Sequence, residues 1–229
     1  MNVADEQSLT IAVGDAHRVS ALSVVPPGAC ACYVFAHGAG AGMTHPFMRT
    51  IAVGLADVGI ATLRFQFPYM ERKSRRPDPP PLCHATVRAA VAEAARRTSG
   101  LPLIAGGRSF GGRMSSQAQA TAPMSQVVGL AFLGFPLHPA GKPSQERAQH
   151  LLATKLPLLF IQGDRDELAS LSLLQPVVEQ LGSRATLKLV EGADHSYKVP
   201  SKFGRSAAQV NAELIEALRS WIGPIIAPT

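Results

Sequence analysis

One serine of the chain stands in a turn framed by glycines, in the sequence GRSFG at residues 107–111. Between a strand and a helix, the pattern Gly-x-Ser-x-Gly bends the chain sharply and exposes the serine hydroxyl, because a side chain at either glycine would collide with neighbouring backbone. A P-loop needs a lysine after its glycines, and a dinucleotide-binding turn needs Gly-x-Gly-x-x-Gly; neither spacing fits this stretch. The pattern predicts that Ser109 is a nucleophile, with an idle structural turn as the alternative.

A serine hydroxyl attacks a carbonyl carbon only when a base removes its proton and an acid orients that base. For this kind of turn, the expected chain order is serine, then acid, then histidine. Asp164 and Asp166 follow the apolar run LPLLFIQG, and we favour Asp166 because it stands further beyond the end of the strand. His195, in GADHS, is the only histidine after these aspartates. The predicted triad is therefore Ser109, Asp166 and His195.

The negative charge that develops on the substrate oxygen requires backbone N–H donors beside the serine. The amide of Phe110 begins the helix that follows the serine, and the stretch HGAGAG at residues 37–42 contains small residues whose backbone can approach a substrate closely. We expect the amides of Phe110 and Ala39 to form the oxyanion hole and Gly40 to contact the substrate. His37 is interpreted as a hydrogen-bonding brace of this loop.

The elements that must position these residues follow from apolar runs of strand length that alternate with helix-length segments. Strands are predicted at 9–13, 21–25, 32–36, 60–65, 103–106, 127–133, 158–162 and 186–190, and helices at 47–58, 84–98, 110–121, 144–154, 171–181 and 206–222. The order predicts an α/β fold with a mostly parallel eight-stranded sheet, helices on both faces and an antiparallel edge at the start. Ligands of such sheets bind beyond the carboxyl ends of the strands, where the predicted triad falls.

Composition limits the class of protein. The chain has 229 residues, 46% of them hydrophobic, which is enough for a sizeable core and predicts one domain over residues 1–229. No apolar run is long enough to span a membrane, and the N-terminal stretch lacks the features of a signal peptide. Three cysteines without metal-ligand spacing predict neither a disulfide framework nor a metal site. We expect a reduced, cytoplasmic protein that is a monomer or a homodimer.

The net charge is +6, and four of the basic residues are concentrated in the segment ERKSRRPD at residues 71–78. Nucleic-acid-binding domains usually interleave basic residues with aromatic ones along one face, and only 6% of this chain is aromatic, so we expect no nucleic acid partner. Two interpretations of Arg72, Lys73, Arg75 and Arg76 stay open. The four side chains belong to a solvated surface loop, or at least one of them binds an anionic substrate near the serine.

Taken together, the stretches HGAG, GRSFGG, GDRDEL and GADHS resemble the α/β-hydrolase superfamily in content and order, over nearly the whole chain. More narrowly, RFQFPYMERKSRRPDPPP, GGRSFGGRM, GFPLHPAGKP and IQGDRDEL are similar to a small dienelactone-hydrolase-like branch, which includes a subunit of the NSL chromatin complex and a testis-expressed hydrolase-like protein. The resemblance implies the α/β-hydrolase fold, a triad of Ser109, Asp166 and His195, and no cofactor. The branch implies no settled substrate.

Larger relatives of this fold insert a cap domain after the strand at 127–133, where this chain has only a short connection. We therefore expect no cap and an open cleft for the substrate. Phe135, Leu137 and His138 are predicted to form one wall and the loop at 68–81 the other, with Arg108 also in contact with the substrate.

These expectations combine into a function. We predict a serine hydrolase that cleaves carboxylic esters of small molecules, or else thioesters or amides, through an acyl-enzyme. The alternative is a hydrolase-like binding or scaffold module with a vestigial triad. The presence of a serine, an aspartate and a histidine in the expected order favours the enzyme, because a binding module needs no such set.

Overall fold

The computed structural model of the chain describes residues 5–227. Its strands are β1 (Gln7–Val13), β2 (His17–Val24), β3 (Ala31–Ala36), β4 (Ile60–Phe65), β5 (Leu103–Arg108), β6 (Val127–Leu133), β7 (Leu158–Gly163) and β8 (Ala185–Val190). They form one sheet in the order β1-β2-β4-β3-β5-β6-β7-β8. The β1–β2 and β2–β4 pairs are antiparallel and the other pairs are parallel. The predicted mostly parallel eight-stranded sheet with an antiparallel edge is confirmed.

Helices cover both faces of the sheet, as predicted. They are α1 (Pro46–Asp57), α2 (Pro68–Glu71), α3 (Pro80–Arg97), α4 (Phe110–Thr121), α5 (Leu171–Leu181) and α6 (Ala207–Ile226). Helices α1 and α6 bury their apolar side chains against one face of the sheet, and α3, α4 and α5 bury theirs against the other. None of the helices in the described part of the chain is both long and apolar enough to cross a membrane.

Several element boundaries differ from the sequence expectation: β2 begins at His17 rather than at residue 21, α6 ends at Ile226 rather than at residue 222, and α2 was not predicted. Helix α3 begins at Pro80 rather than at residue 84, because Pro80 and Pro81 occupy its first positions, where a missing N–H costs no helical hydrogen bond. The helix predicted at 144–154 is a 3-10 helix at Glu146–Ala153. It is the only helix between β6 and β7 in the described residues, so no cap domain covers the carboxyl edge of the sheet, as predicted.

Glycines allow the turn after β5 to pack against the end of β3. A Cβ atom at Gly107 would lie 2.2 Å from the backbone oxygen of Ala36, and one at Gly111 would lie 2.5 Å from the same oxygen. Both distances are far below van der Waals contact with backbone atoms that cannot move independently. The turn around Ser109 therefore requires glycine on both sides.

We expect Gly107→Ala to lower the free energy of unfolding by about 3 kcal/mol or more, because the added methyl group must displace β3. The matched control is Gly223→Ala in α6, where a Cβ atom would meet no heavy atom within 4 Å. Alanine is the better helix former, but the following Pro224 disfavours helical backbone at a residue with a Cβ atom, so the free energy of unfolding of that variant should change by less than about 1 kcal/mol. Urea unfolding of both variants checks this, and equal stabilities would contradict the packing argument.

Candidate active site

Ser109 links the end of β5 to the start of α4 in a strained backbone conformation. Its φ is 48° and its ψ is −116°, a combination that residues with a side chain rarely adopt. Backbone hydrogen bonds hold it there: its N–H donates to the carbonyl of Leu133 at 3.0 Å, and its own carbonyl accepts from the N–H of Arg113 at 3.1 Å. A sharp strand-to-helix turn of this kind presents the side chain at the carboxyl edge of the sheet.

The side chains of Ser109, His195 and Asp166 form a continuous hydrogen-bonded chain. Ser109 Oγ lies 2.8 Å from His195 Nε2, and His195 Nδ1 lies 2.7 Å from Asp166 Oδ2. Of the two candidate acids, Asp166 is the one that faces the imidazole. Asp164 instead accepts a hydrogen bond from the N–H of Gly192 at 2.8 Å and so joins the loop after β7 to the loop after β8.

The Asp166 carboxylate is fully buried and held by donors other than His195. Its Oδ1 accepts from the N–H of Leu168 at 2.8 Å, and its Oδ2 also accepts from Nε2 of Gln162. The side-chain oxygen of Gln162 in turn accepts from the N–H of Phe135 at 2.9 Å. Sequence reasoning missed Gln162, although a polar residue in the otherwise apolar run LPLLFIQG was an available signal.

The loop that carries His195 is also held by Arg108, the residue before the serine. A guanidinium nitrogen of Arg108 donates to the backbone oxygen of His195 at 3.3 Å, and Cζ lies 4.6 Å from the centre of the Phe47 ring. Burial lowers the pKa of Arg108. The structure thus connects Arg108 to the backbone of His195, and a contact of Arg108 with substrate stays a prediction.

The loop after β3 lies directly beside the serine. A Cβ atom at Gly38 would be 3.8 Å from Cβ of Ser109, and the next residues, Ala39 and Gly40, are exposed. Within residues 5–227, neither the amide of Ala39 nor that of Phe110 has a hydrogen-bond acceptor. Both amides are therefore available as donors next to the serine, and their role as an oxyanion hole stays a prediction.

His37 braces this loop from within the protein. Its Nε2 accepts from the N–H of Phe67 at 3.1 Å, so the proton is on Nδ1, which donates to the carbonyl of Gly38 at 2.8 Å. The ring is fully buried. Burial lowers the pKa of His37 from 6.5 to about 4. The neutral imidazole therefore links the loop after β3 to the loop after β4 through two hydrogen bonds.

The lowered pKa of His37 makes stability depend on pH. The unfolded chain binds a proton on this histidine near pH 6.5 and the folded chain only near pH 4, so protonation favours unfolding as the pH falls between these values. At pH 4 the loss amounts to about 3 kcal/mol. Urea unfolding from pH 8 to pH 4 should show this fall in the wild type and a shallower one in His37→Gln. Parallel curves would contradict it.

The prediction that Phe135, Leu137 and His138 form one wall of the cleft is wrong, because their side chains are buried. Phe135 and Leu137 are 0% exposed and His138 is 3% exposed. The Phe135 ring packs in the core, with its centre 5.2 Å from that of Phe132. Both ring nitrogens of His138 are used, since Nδ1 donates to the oxygen of Pro139 at 3.0 Å and Nε2 accepts from an N–H at 3.2 Å. These three side chains pack beneath the protein surface in the loop after β6, and they present no surface to a substrate.

The basic loop favours the surface interpretation. Arg72 forms an ion pair with Asp78, and Asp78 also accepts from the N–H of Tyr69 at 2.7 Å. Lys73, Arg75 and Arg76 are exposed. In the described part of the chain, none of these four side chains forms an ion pair or a hydrogen bond with the serine, the histidine or Asp166.

Comparisons with known proteins agree with this fold. A family model described as "Alpha/beta hydrolase domain" matches residues 29–223. A dienelactone hydrolase from Anabaena variabilis is similar at 22% identity and a TM-score of 0.79, over 96% of this chain and 98% of that one. A serine hydrolase homologue from Coxiella burnetii is similar at 20% identity and a TM-score of 0.73, over 95% of this chain and 97% of that one. A serine hydrolase without lid from Xanthomonas campestris is similar at 21% identity and a TM-score of 0.70, over 95% of each chain.

Proposed function

This chain belongs to the alpha/beta hydrolase domain family, and from that premise we propose that it is a serine hydrolase that cleaves carboxylic esters of small molecules. The observation that carries the proposal is the hydrogen-bonded chain from Ser109 through His195 to the buried Asp166. The strained backbone of Ser109 supports it, because such a conformation persists only where the surroundings impose it.

In the proposed reaction, Ser109 Oγ attacks the ester carbonyl carbon while His195 Nε2 accepts the hydroxyl proton. Asp166 holds the imidazole in the tautomer with a proton on Nδ1 and stabilises the imidazolium that forms. The substrate oxygen becomes negatively charged, and the amides of Phe110 and Ala39 donate hydrogen bonds to it. The positive end of the α4 dipole lies at the same place.

Collapse of the tetrahedral intermediate breaks the bond between the carbonyl carbon and the alcohol oxygen. His195 gives its proton to the departing alcohol, and an acyl group remains on Ser109 Oγ. A water molecule then attacks the acyl carbon as His195 takes its proton. The bond from the acyl carbon to Ser109 Oγ breaks, His195 returns the proton to that oxygen, and the acid is released. Thioesters and amides would follow the same steps with a different leaving group.

The narrower kinship with the branch that includes the NSL-complex subunit is proposed from the motifs alone, and it specifies no substrate. A panel of p-nitrophenyl esters of graded acyl length, with a matched thioester and anilide, would establish the preferred bond and acyl size.

A fluorophosphonate probe tests the proposed function directly, because it reacts with a serine only when a base activates that serine. We expect covalent labelling of the wild type and of Ser144→Ala, a control in the loop after β6, and none of Ser109→Ala. Intact-mass measurement reads out the adduct. An unlabelled wild type would favour the hydrolase-like binding module.

A further inference from the structure

Four basic side chains from three separate elements lie around the first two turns of α4. They are His84 of α3, Arg113 of α4, and Arg147 and His150 of the 3-10 helix, and together they are called the cationic cluster below. The proposed hydrolysis uses none of them. All four are partly buried, so the cluster is a feature of the packed structure rather than a set of mobile surface side chains.

Hydrogen bonds attach the two histidines of the cationic cluster to α4. His150 Nε2 lies 2.7 Å from Oγ of Ser116, a hydroxyl that is also 2.9 Å from the backbone oxygen of Arg113. His84 Nε2 lies 3.3 Å from Oε1 of Gln117. These contacts hold both imidazoles on the same side of the helix as the Arg113 side chain.

The cluster lacks a compensating carboxylate. Several other arginines pair with acids, as in Arg64 with Glu6 and Arg205 with Glu213, or donate to backbone oxygens, as Arg88 does. Within residues 5–227, no member of the cationic cluster forms an ion pair. Nε of Arg113 is buried without any acceptor. A partly buried cation without a partner is costly, which points to a missing anion.

The members of the cluster also oppose each other's charge. The pKa of Arg113 is lowered by burial and by the nearby Arg147. That of His150 is lowered to about 4 by burial, Arg113 and His84, and that of His84 is lowered chiefly by burial, with Arg88 and Arg113 contributing. Arginine keeps its charge in proteins, so Arg113 and Arg147 supply the positive charge of the cluster. The neutral histidines each use their single N–H, His150 on Oγ of Ser116 and His84 on Oε1 of Gln117.

The cluster adjoins the candidate active site. The backbone N–H of Arg113 donates to the carbonyl of Ser109, and Cζ of Arg113 lies 5.8 Å from the centre of the Phe110 ring. Four residues of helix correspond to a rise of about 6 Å, so the Arg113 backbone lies one turn after the serine. Helical side chains tilt toward the N-terminus of their helix, which brings the guanidinium back toward the Phe110 ring next to Ser109.

We propose that the cationic cluster is a substrate subsite that binds an anionic group, a carboxylate or a phosphate, carried on the acyl part of an ester whose carbonyl lies at Ser109. The proposal rests on the proposed hydrolase function. Arg113 supplies the planar guanidinium that pairs with either anion through two parallel hydrogen bonds, and Arg147 supplies a second charge.

Two esters with acyl groups of equal length but different charge test the subsite. Mono-p-nitrophenyl glutarate ends in a carboxylate, and p-nitrophenyl valerate is neutral. The measured quantity is the ratio of kcat/KM for the glutarate to that for the valerate. Loss of a hydrogen bond to a charged group should lower this ratio about tenfold or more in Arg113→Gln and in Arg147→Gln. Arg75→Gln, which removes an exposed arginine of the basic loop, should leave the ratio as in the wild type.

An unchanged ratio in both cluster variants overturns the subsite. An equal fall in Arg75→Gln also overturns it, because the preference would then reflect the general positive surface. If Arg113→Gln fails to fold, Arg147→Gln and the charge-retaining Arg113→Lys, which should keep part of the preference, decide the matter.

A binding measurement separates failure of the subsite from failure of the proposed function. Malonate or inorganic phosphate should raise the melting temperature of the wild type more than that of Arg113→Gln, since a ligand of the native state stabilises it. Which of the two is effective distinguishes carboxylate from phosphate. Stabilisation without fluorophosphonate labelling would keep the anion site and reject the hydrolase. Labelling with neither stabilisation nor a charge preference would reject only the anion site.

Discussion

Replacement of Ser109 or His195 by alanine should each lower kcat for ester hydrolysis by about a millionfold relative to the wild type. The first variant has no atom to attack the carbonyl carbon. In the second, Ser109 Oγ loses the imidazole that lies 2.8 Å away and would accept its proton. Because the two side chains act as one unit, the Ser109→Ala/His195→Ala double variant should be no slower than either single one.

The measurement is p-nitrophenyl acetate hydrolysis at high enzyme concentration, with protein purified from a host that lacks competing esterases. Circular dichroism and the melting temperature should show that each variant is folded. Additive losses in the double variant would contradict a shared mechanism. Substantial activity in Ser109→Ala would assign the reaction to another group.

The second large effect is expected for Asp166→Asn, with a loss of about 10⁴-fold in kcat. The asparagine amide would place an N–H group against His195 Nδ1, which would favour the wrong tautomer, with the proton on Nε2 facing Ser109. That imidazole cannot accept the serine proton. The fold should persist with a lower melting temperature: asparagine has nearly the same size and its oxygen can still accept from the N–H of Leu168, but Nε2 of Gln162 loses its acceptor.

Asp164→Asn is the matched control, two residues away in the same loop. Its Oδ1 can still accept the hydrogen bond from the N–H of Gly192, so kcat should change no more than a few-fold. Rates for both variants and the wild type are measured at saturating ester across pH 6–9. A larger loss for Asp164→Asn than for Asp166→Asn would exchange the roles of the two carboxylates.

Much of the fold could be predicted from the sequence because its signals are local. Apolar runs such as LPLLFIQG mark strands buried on both faces, and the glycines around Ser109 mark a turn with no room for side chains. Parallel strands end at one edge of a sheet, so strand ends far apart in the chain were expected to meet there. For that reason Ser109 and His195, separated by 86 positions, could be assigned to one site.

Only the tertiary structure decided which side chains face each other at that edge. Asp164 and Asp166 belong to the same turn but have different partners. The carboxylate of Asp164 accepts from the N–H of Gly192, whereas that of Asp166 faces the imidazole of His195. Phe135 was assigned to a cleft wall by its position in the chain, but the hydrogen bond from its N–H to Gln162 and the packing of its ring direct it into the core.

The cationic cluster depends on tertiary structure in the same way. Its members His84, Arg113 and His150 belong to three separate helices, and the periodicity of each helix does not show that they lie close together. The packing of α3 and the 3-10 helix against α4 brings them to one side of that helix. The sequence by itself thus determined the strand order along the chain and the turn that exposes a serine. Long-range contacts decided which carboxylate faces His195, that Phe135 is buried, and that the arginines of the cluster have no acidic partner within the described residues, because such contacts depend on side-chain directions that no local pattern encodes.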